Sequence, residues 1–254
     1  MNHTSPVYLG NNRAICRTIY NDKMIVDTTD ISLSPHILLD GYWEKWVTEF
    51  ILKIIKSDMN ILEVGSNIGY YTVLMGKRTK GKVFAFEANP HMFEILKQNI
   101  VINGLSNTVV PYNLAATSKK GHIELNVIKE YQGSSSIHQF DKSKNDYTTI
   151  TVETDTVDNL ITDEIDLVKI DAEGSEPLII DGMMNTIQKN PRLQMIMEFN
   201  RALIEKTVDP YKFIDRLMEI GFEISYIDTN SKLHKFKRQA IQQTDIIELY
   251  LKRR

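Results

Sequence analysis

From residue 59 onward, apolar positions fall into short solid runs that alternate with amphipathic stretches. Met59 to Val64 reads as a short buried strand, and Ile68 to Lys77 as the helix after it. Lys82 to Phe86 is a second strand, ending in Glu87. Asn89-Pro90 then opens a helix, with Asn as N-cap and Pro pre-set for the first turn. Phe93, Leu96 and Ile100 lie on one face of that helix, and Asn103-Gly104 closes it. A strand near Thr108 to Pro111 follows. Strand and helix alternating at these lengths predict a parallel sheet covered on both faces.

The flanking regions read differently. His122 to Ile128 and Thr148 to Val152 alternate like antiparallel strands, with Gly133-Ser134-Ser135-Ser136 and the charged stretch Asp141 to Asp146 as a mobile loop between them. The α/β pattern resumes with a strand at Ile165 to Ile170, helix over Ser175 to Ile187 and a strand at Leu193 to Met197. Asp209-Pro210 caps another helix, and Phe222 to Ile227 with Ile246 to Leu251 resemble a final hairpin. Before residue 57 there is turn material at Thr28 to Ser32 and Ser34-Pro35. A helical stripe follows, with apolar groups at 43, 46, 47, 50, 51 and 54. Residues 1–57 are therefore read as a cap on one main domain spanning 58–254, with no repeat or linker to divide it further.

Composition narrows the class. At 254 residues, 42% hydrophobic and 25% charged, the chain has the make-up of a globular protein with a sizeable core. A net charge of -3 gives no reason to expect nucleic acid as a partner. The lone Cys16 excludes an intrachain disulfide and a CxxC zinc site. Neither a signal-peptide core nor a membrane-spanning run is present, so a cytoplasmic setting is expected, with recruitment to a membrane by a partner or a lipid-linked substrate left open. Oligomeric state has no readable signature.

The chemistry starts at Ile61-Leu62-Glu63-Val64-Gly65-Ser66-Asn67-Ile68-Gly69, a strand running through a glycine turn into a helix. Such a junction offers free N–H groups and lets a ligand approach the backbone. The dinucleotide spacing G-x-G-x-x-G would need glycine at 65, 67 and 70, but 67 is Asn and 70 is Tyr. The spacing E-x-G-x-x-x-G is instead the one used to bind S-adenosylmethionine (SAM). Glu87, at the end of the next strand, is placed to accept the ribose hydroxyls. The second motif, Leu167-Val168-Lys169-Ile170-Asp171-Ala172-Glu173-Gly174-Ser175-Glu176, puts three acids at the end of a later strand. Ligands in open α/β sheets sit beyond the carboxyl ends of the strands, so Asp171 should face the same crevice. Glu176 also fits an acidic first helical turn.

In these segments the chain resembles the FkbM-type methyltransferases. The resemblance rests on Glu63 to Thr72, Phe84 to Pro90, Asn113-Leu114-Ala115-Ala116, Gly133 to Ser136 and Val168 to Glu176, covering roughly residues 40 to 200 in the family's order. Glu63, Ser66, Ala172 and Ser175 depart from the usual Asp, Ala, Val and Ala without removing a carboxylate or a glycine. The resemblance implies a class I SAM-methyltransferase (Rossmann-like) fold, with a mostly parallel seven-stranded sheet, helices on both faces and a C-terminal antiparallel hairpin. It implies O-methyl transfer to a hydroxyl of a sugar, a polysaccharide or glycolipid glycan, or a natural product. It also puts Asn113 and Ala115 near the adenine.

The expected cofactor set is thus Glu63, Gly65, Ser66, Asn67, Gly69, Tyr70, Glu87, Ala88, Asn89, Asn113, Ala115 and Asp171. Glu63 and Asn67 would serve the amino acid end. Asp171 and Glu173 lead as general base, with Glu198 on the same rim as a third catalytic candidate. An ion-free carboxylate cluster is the preferred reading, and Mg²⁺ on Asp171, Glu198 and Asn200 the alternative. His138 would be a base only if its loop closes, and His91 reads as a surface residue. Trp43 and Tyr42 suit a sugar face but fit the apolar core better, while Lys232 to Arg238 reads as a solvated tip before a phosphate site. Competing functions are an NAD-dependent oxidoreductase or epimerase, which the missing glycines disfavour, and a non-catalytic binding protein. The acceptor is expected to be chosen by the N-terminal cap and the 130–147 loop.

Overall fold

The computed structural model describes residues 5–128, 130–139 and 146–253, and of 132, 242 and 243 the backbone alone. The chain starts with β1 (Val7–Gly10), β2 (Arg13–Arg17) and β3 (Lys23–Asp27), an antiparallel meander that the hydrophobic pattern did not predict. Its edge strand β1 exposes Val7, Tyr8 and Leu9, so no buried face imposes alternation there. Helices α1 (Ser34–Leu39) and α2 (Lys45–Ile54) follow, the second burying Val47, Phe50 and Ile51 as its stripe predicts.

The α/β part runs β4 (Ile61–Val64), α3 (Tyr70–Gly76), β5 (Val83–Phe86), α4 (Pro90–Ile102) and β6 (Val109–Tyr112). A small sheet comes next, with strands β7 (Ala115–Ala116), β8 (Gly121–Ile128) and β9 (Tyr147–Asp155), and a 3-10 turn at Gln132–Ser134. The remainder is α5 (Val157–Leu160), β10 (Leu167–Ile170), α6 (Glu176–Gly182), α7 (Met184–Lys189), β11 (Gln194–Asn200), α8 (Arg201–Ile204), α9 (Pro210–Glu219), β12 (Phe222–Ile227), β13 (Leu233–Lys235), α10 (Ala240–Gln243) and β14 (Ile246–Arg253). The helix expected over Ser175 to Ile187 is interrupted at Met183, whose φ of -127° lies outside the helical region.

The main sheet has the order β13-β12-β14-β11-β10-β4-β5-β6, eight strands where seven were expected. The extra one is β13, inside the basic stretch read as a solvated tip. An exposed edge strand needs only backbone pairing on one side, so its charged residues hide it from a hydrophobicity reading. β4, β5, β6, β10 and β11 pair in parallel, and β14 lies antiparallel between β11 and β12. The expected C-terminal antiparallel pair is therefore present, with β13 and α10 in its connection.

Successive residues of a strand face opposite sides of the sheet. Ile61, Val83, Ala85, Leu167 and Ile196 pack with α2, α3, α4 and the N-terminal meander. Leu62, Phe84, Phe86, Val168, Ile170 and Met195 pack with α6, α7 and α9 on the other side. Burial on both faces explains the solid apolar runs. The meander is tied to the main sheet's first turn through Asn99, which is fully buried. Its Oδ1 accepts from the Ile25 N–H, and its Nδ2 donates to the carbonyls of Ile25 and Ile68. No helix of the described residues is long and apolar enough to cross a membrane. Of the expected acceptor loop, residues 140–145 lie outside the described part.

Candidate active site

Parallel strands bring their carboxyl ends to one edge, and two loops meet there. β4 ends at Val64, and Gly65, Asn67 and Gly69 all take positive φ (84°, 51° and 87°) before α3 begins. The left-handed backbone at Gly69 favours glycine where α3 meets α4, and a Cβ there would also displace the tip of Leu96, 2.5 Å away. Glu87, at the end of β5, accepts from the N–H groups of Asn67 and Asn89, both at 2.7 Å, one on each carboxylate oxygen. It thereby locks the first loop to the second while keeping one lone pair per oxygen for a ligand. Burial first, then Asp171, push the Glu87 carboxyl up, against the two backbone N–H donors, to about 7. Ser66 Oγ is buried and makes no hydrogen bond of good geometry among the described residues, while its hydroxyl helps hold down the pKa of Glu63.

One cleft is lined by Gly65, Ser66, Asn67, Tyr70, Glu87, Ala88, Ala115, Asp171, Glu173 and Glu198. Ten of the expected site residues therefore meet in a single place. Of the others, Glu63, Gly69 and Asn89 are buried behind the wall, and Asn113 is exposed beside it. Glu63 is 1% exposed and accepts from Thr72 Oγ1; burial raises its pKa to about 7 despite that bond. Asn89 caps α4 by accepting from the His91 N–H, and Asn113 Nδ2 donates to the Glu87 carbonyl at 2.9 Å. Gly69 shapes the turn without lining the cleft.

The acidic end is built around one lysine. Lys169, on the buried strand β10, donates to Asp171 Oδ2 at 3.0 Å and lies 4.5 Å over the Tyr71 ring. Tyr71 in turn donates to Glu44 Oε2 at 2.8 Å. Burial alone would lower the lysine's pKa, but Asp171, Glu44, Glu248 and Glu63 around it raise it, so Lys169 stays an ammonium. Carboxylate oxygens of Glu44, Glu198 and Glu248 come within 4.8 Å of one another. Burial, then Asp171, Glu248 and Glu173, push Glu198 up to about 10. Burial, then Asp171 and Glu176, push Glu173 up to about 8. The alternative metal set does not form as expected. Asp171 is paired with Lys169, and Asn200 Oδ1 caps α8 by accepting from the Leu203 N–H.

Glu176 shapes the acidic loop from below. Its Oε1 accepts from the N–H groups of Ala172 and Gly174, across a turn in which Glu173 and Gly174 have φ of 50° and 94°. Above, Ser136 Oγ donates to the Glu173 carbonyl, and Gly133, Ser134, Ser135 and Ile137 roof the cleft. His138 does not line it; its Nε2 meets Thr207 Oγ1 at 3.2 Å, and burial lowers its pKa. His91 is half-exposed and bonds the buried carboxylate of Asp27 at 2.6 Å.

The model of the methyltransferase FkbM domain matches residues 63–239, from the first carboxylate before the glycine turn to the end of the basic stretch. The chain belongs to this family. Hexuronic acid methyltransferase AglP of Haloferax volcanii is 30% identical over 149 residues, which make up 57% of this chain and 58% of that protein. The chain thus spans little more than half of this curated relative. An FkbM methyltransferase of Methylobacillus flagellatus superimposes with a TM-score of 0.51 at 10% identity, over 78% of this chain and 44% of that one. M. jannaschii TYW2, solved with AdoMet, gives 0.52 at 16% identity over 97% and 87%. At such identities these likenesses establish the fold, which is that of class I SAM methyltransferases.

The sequence pattern did not place Glu44, Tyr71 or Glu248 at the acidic end. Glu248 carried a signal: a lone carboxylate in the apolar strand Ile246 to Leu251, opposite Glu198 in the β11–β14 register. Glu44 carried none, because it is placed by a left-handed backbone turn (φ 37°) ahead of α2. Trp43, read as core, is partly buried and lines the cleft.

Proposed function

We propose that this FkbM-family chain is a SAM-dependent O-methyltransferase acting on a hydroxyl of a sugar or glycan. Support comes above all from the Glu87 clamp across two glycine-shaped loops, facing a cleft whose other end is carboxylate-rich. Bound SAM would supply an electrophilic methyl group, leaving as S-adenosylhomocysteine once an acceptor oxygen has attacked. In this reading Glu87 accepts the ribose hydroxyls, and Gly65, Ser66, Asn67 and Tyr70 line the amino acid end. Ala88 and Ala115 leave room for the adenine. Glu63, Gly69 and Asn89 shape that cradle from behind, and Asn113 braces it through the Glu87 carbonyl.

Asp171 takes the acceptor's proton, and Lys169 fixes its carboxylate in place. Glu173 and Glu198 orient the acceptor by hydrogen bonds. Among the described residues, Glu44, Glu198 and Glu248 are the carboxylates grouped closely enough to hold a divalent ion such as Mg²⁺, and no step here requires one. Residues 1–57 act as a cap that supplies Trp43 and Glu44 to the acceptor end. The expected setting is the cytoplasm, with a soluble or lipid-linked saccharide as acceptor. The test is conversion of SAM to S-adenosylhomocysteine that depends on added saccharide and leaves an alkali-stable O-methyl sugar. Saccharide-independent or absent conversion by protein that binds SAM would refute glycan methylation.

A further inference from the structure

The acceptor end has a charge pattern that selects among sugars. Apart from Glu87 at the cofactor end, the charged residues lining the cleft among the described ones are Glu44, Lys169, Asp171, Glu173 and Glu198. Lys169, the lone cation of that set, is engaged with Asp171 at 3.0 Å. Behind the wall stands Glu248, 9% exposed, with a carboxylate oxygen within 4.8 Å of Glu44 and Glu198. Glu198 and Glu248 face each other directly across two paired strands, an arrangement that like charges disfavour. Acidic sugars are ordinarily held by arginine forks or free lysines, and none lines this cleft among the described residues.

Building on the O-methyltransferase reading, we propose that the ring to be methylated carries no acidic group. It is a neutral hexose or deoxyhexose, or an amino sugar, and the carboxylate wall excludes uronates. The raised pKa values of Glu173 and Glu198 agree: burial first, and then the neighbouring carboxylates, disfavour further negative charge at this end of the cleft. A uronate would add one more negative group with no unpaired cation among the described lining residues to meet it. An ammonium group would let the same carboxyls ionise. Neutral hydroxyls fit as hydrogen-bond partners in either state. On this point the chain differs from what the name of its haloarchaeal relative says of that protein.

The experiment incubates the full chain with methyl-¹³C SAM and a saccharide extract of the source organism, followed by methanolysis and mass spectrometry of the labelled sugars. The expected label is on a hexose, deoxyhexose or hexosamine. The C6-carboxylate form of that sugar should then be turned over at least about tenfold less efficiently. A labelled uronic acid would overturn the proposal. So would a uronate labelled only when Mg²⁺ is added, which would put a bridging ion on Glu44, Glu198 and Glu248. No labelled sugar at all, from protein that binds SAM in calorimetry, would instead refute the glycan O-methyltransferase reading on which this proposal stands.

Discussion

Gly65 and Asp171 lie so close that a Cβ on the glycine would fall 1.8 Å from the aspartate's carbonyl oxygen. The two belong to motifs far apart in the chain, joined by the parallel register of β4 and β10 and by the Asp171 N–H donating to the Val64 carbonyl. The cofactor turn and the acidic loop are thus one packed unit. Gly65→Ala should cost at least about 2 kcal/mol from left-handed strain and the collision together. Thermal unfolding reads the stability loss, and calorimetry should show weaker SAM binding in whatever remains folded. Wild-type stability and affinity in this variant would mean that the loops are not so coupled.

Glu87→Gln keeps the size of the side chain but leaves one oxygen where two backbone N–H groups now find acceptors. The amide NH₂ would face an N–H donor. SAM affinity should fall at least about tenfold, the scale expected for losing a charge-assisted bond. A dissociation constant within twofold of wild type would remove Glu87 from the ribose site.

Asp171→Asn should separate binding from chemistry. The side chain touches Lys169 and lines the acceptor side, while the glycine turn is held by other groups. Turnover is expected to drop by about 10² or more, with SAM binding changed by less than about threefold. If turnover persists while the other carboxyls are intact, the base is Glu173 or Glu198.

Stability should fall with rising pH, against the usual trend for acids. Burial holds Glu63, Glu87 and Glu176 at about 7, Glu173 at about 8 and Glu198 at about 10, all above the ordinary 4.5. Between pH 4.5 and those raised values the folded protein keeps protons that the unfolded chain releases. Stability is therefore greatest near the unfolded pKa and declines as pH climbs. His138, whose pKa is lowered from 6.5, acts the other way as pH falls below that value, one group against five. The SAM-free protein should melt lower at pH 8.0 than at pH 5.5, and Glu63→Gln should flatten the slope. A melting temperature that rises across that interval would contradict the burial of these carboxyls.

Much of this was legible in the chain because strands buried on both faces write solid apolar runs, and because glycine turns need particular residues. Ile61 to Gly69 and Leu167 to Gly174 carried the strand ends, the turns and the part of the cleft lining where the two motifs meet. The meander β1–β3 was hidden because its edge faces solvent, and β13 because it is exposed and basic. Glu44 arrives through a backbone turn that no side-chain pattern announces. Glu248 enters from the far end of the chain through strand pairing alone. The retreat of Glu63 behind the wall follows from the strand's alternation, which points it at Thr72 rather than at the cleft.

The most direct test of the central claim is isothermal titration of the SAM-free chain with SAM, S-adenosylhomocysteine and NAD⁺. The expected result is saturable binding of the first two at one site per chain, no heat from NAD⁺, and loss of binding in Glu87→Ala. Binding of NAD⁺ with no response to SAM or S-adenosylhomocysteine would contradict it.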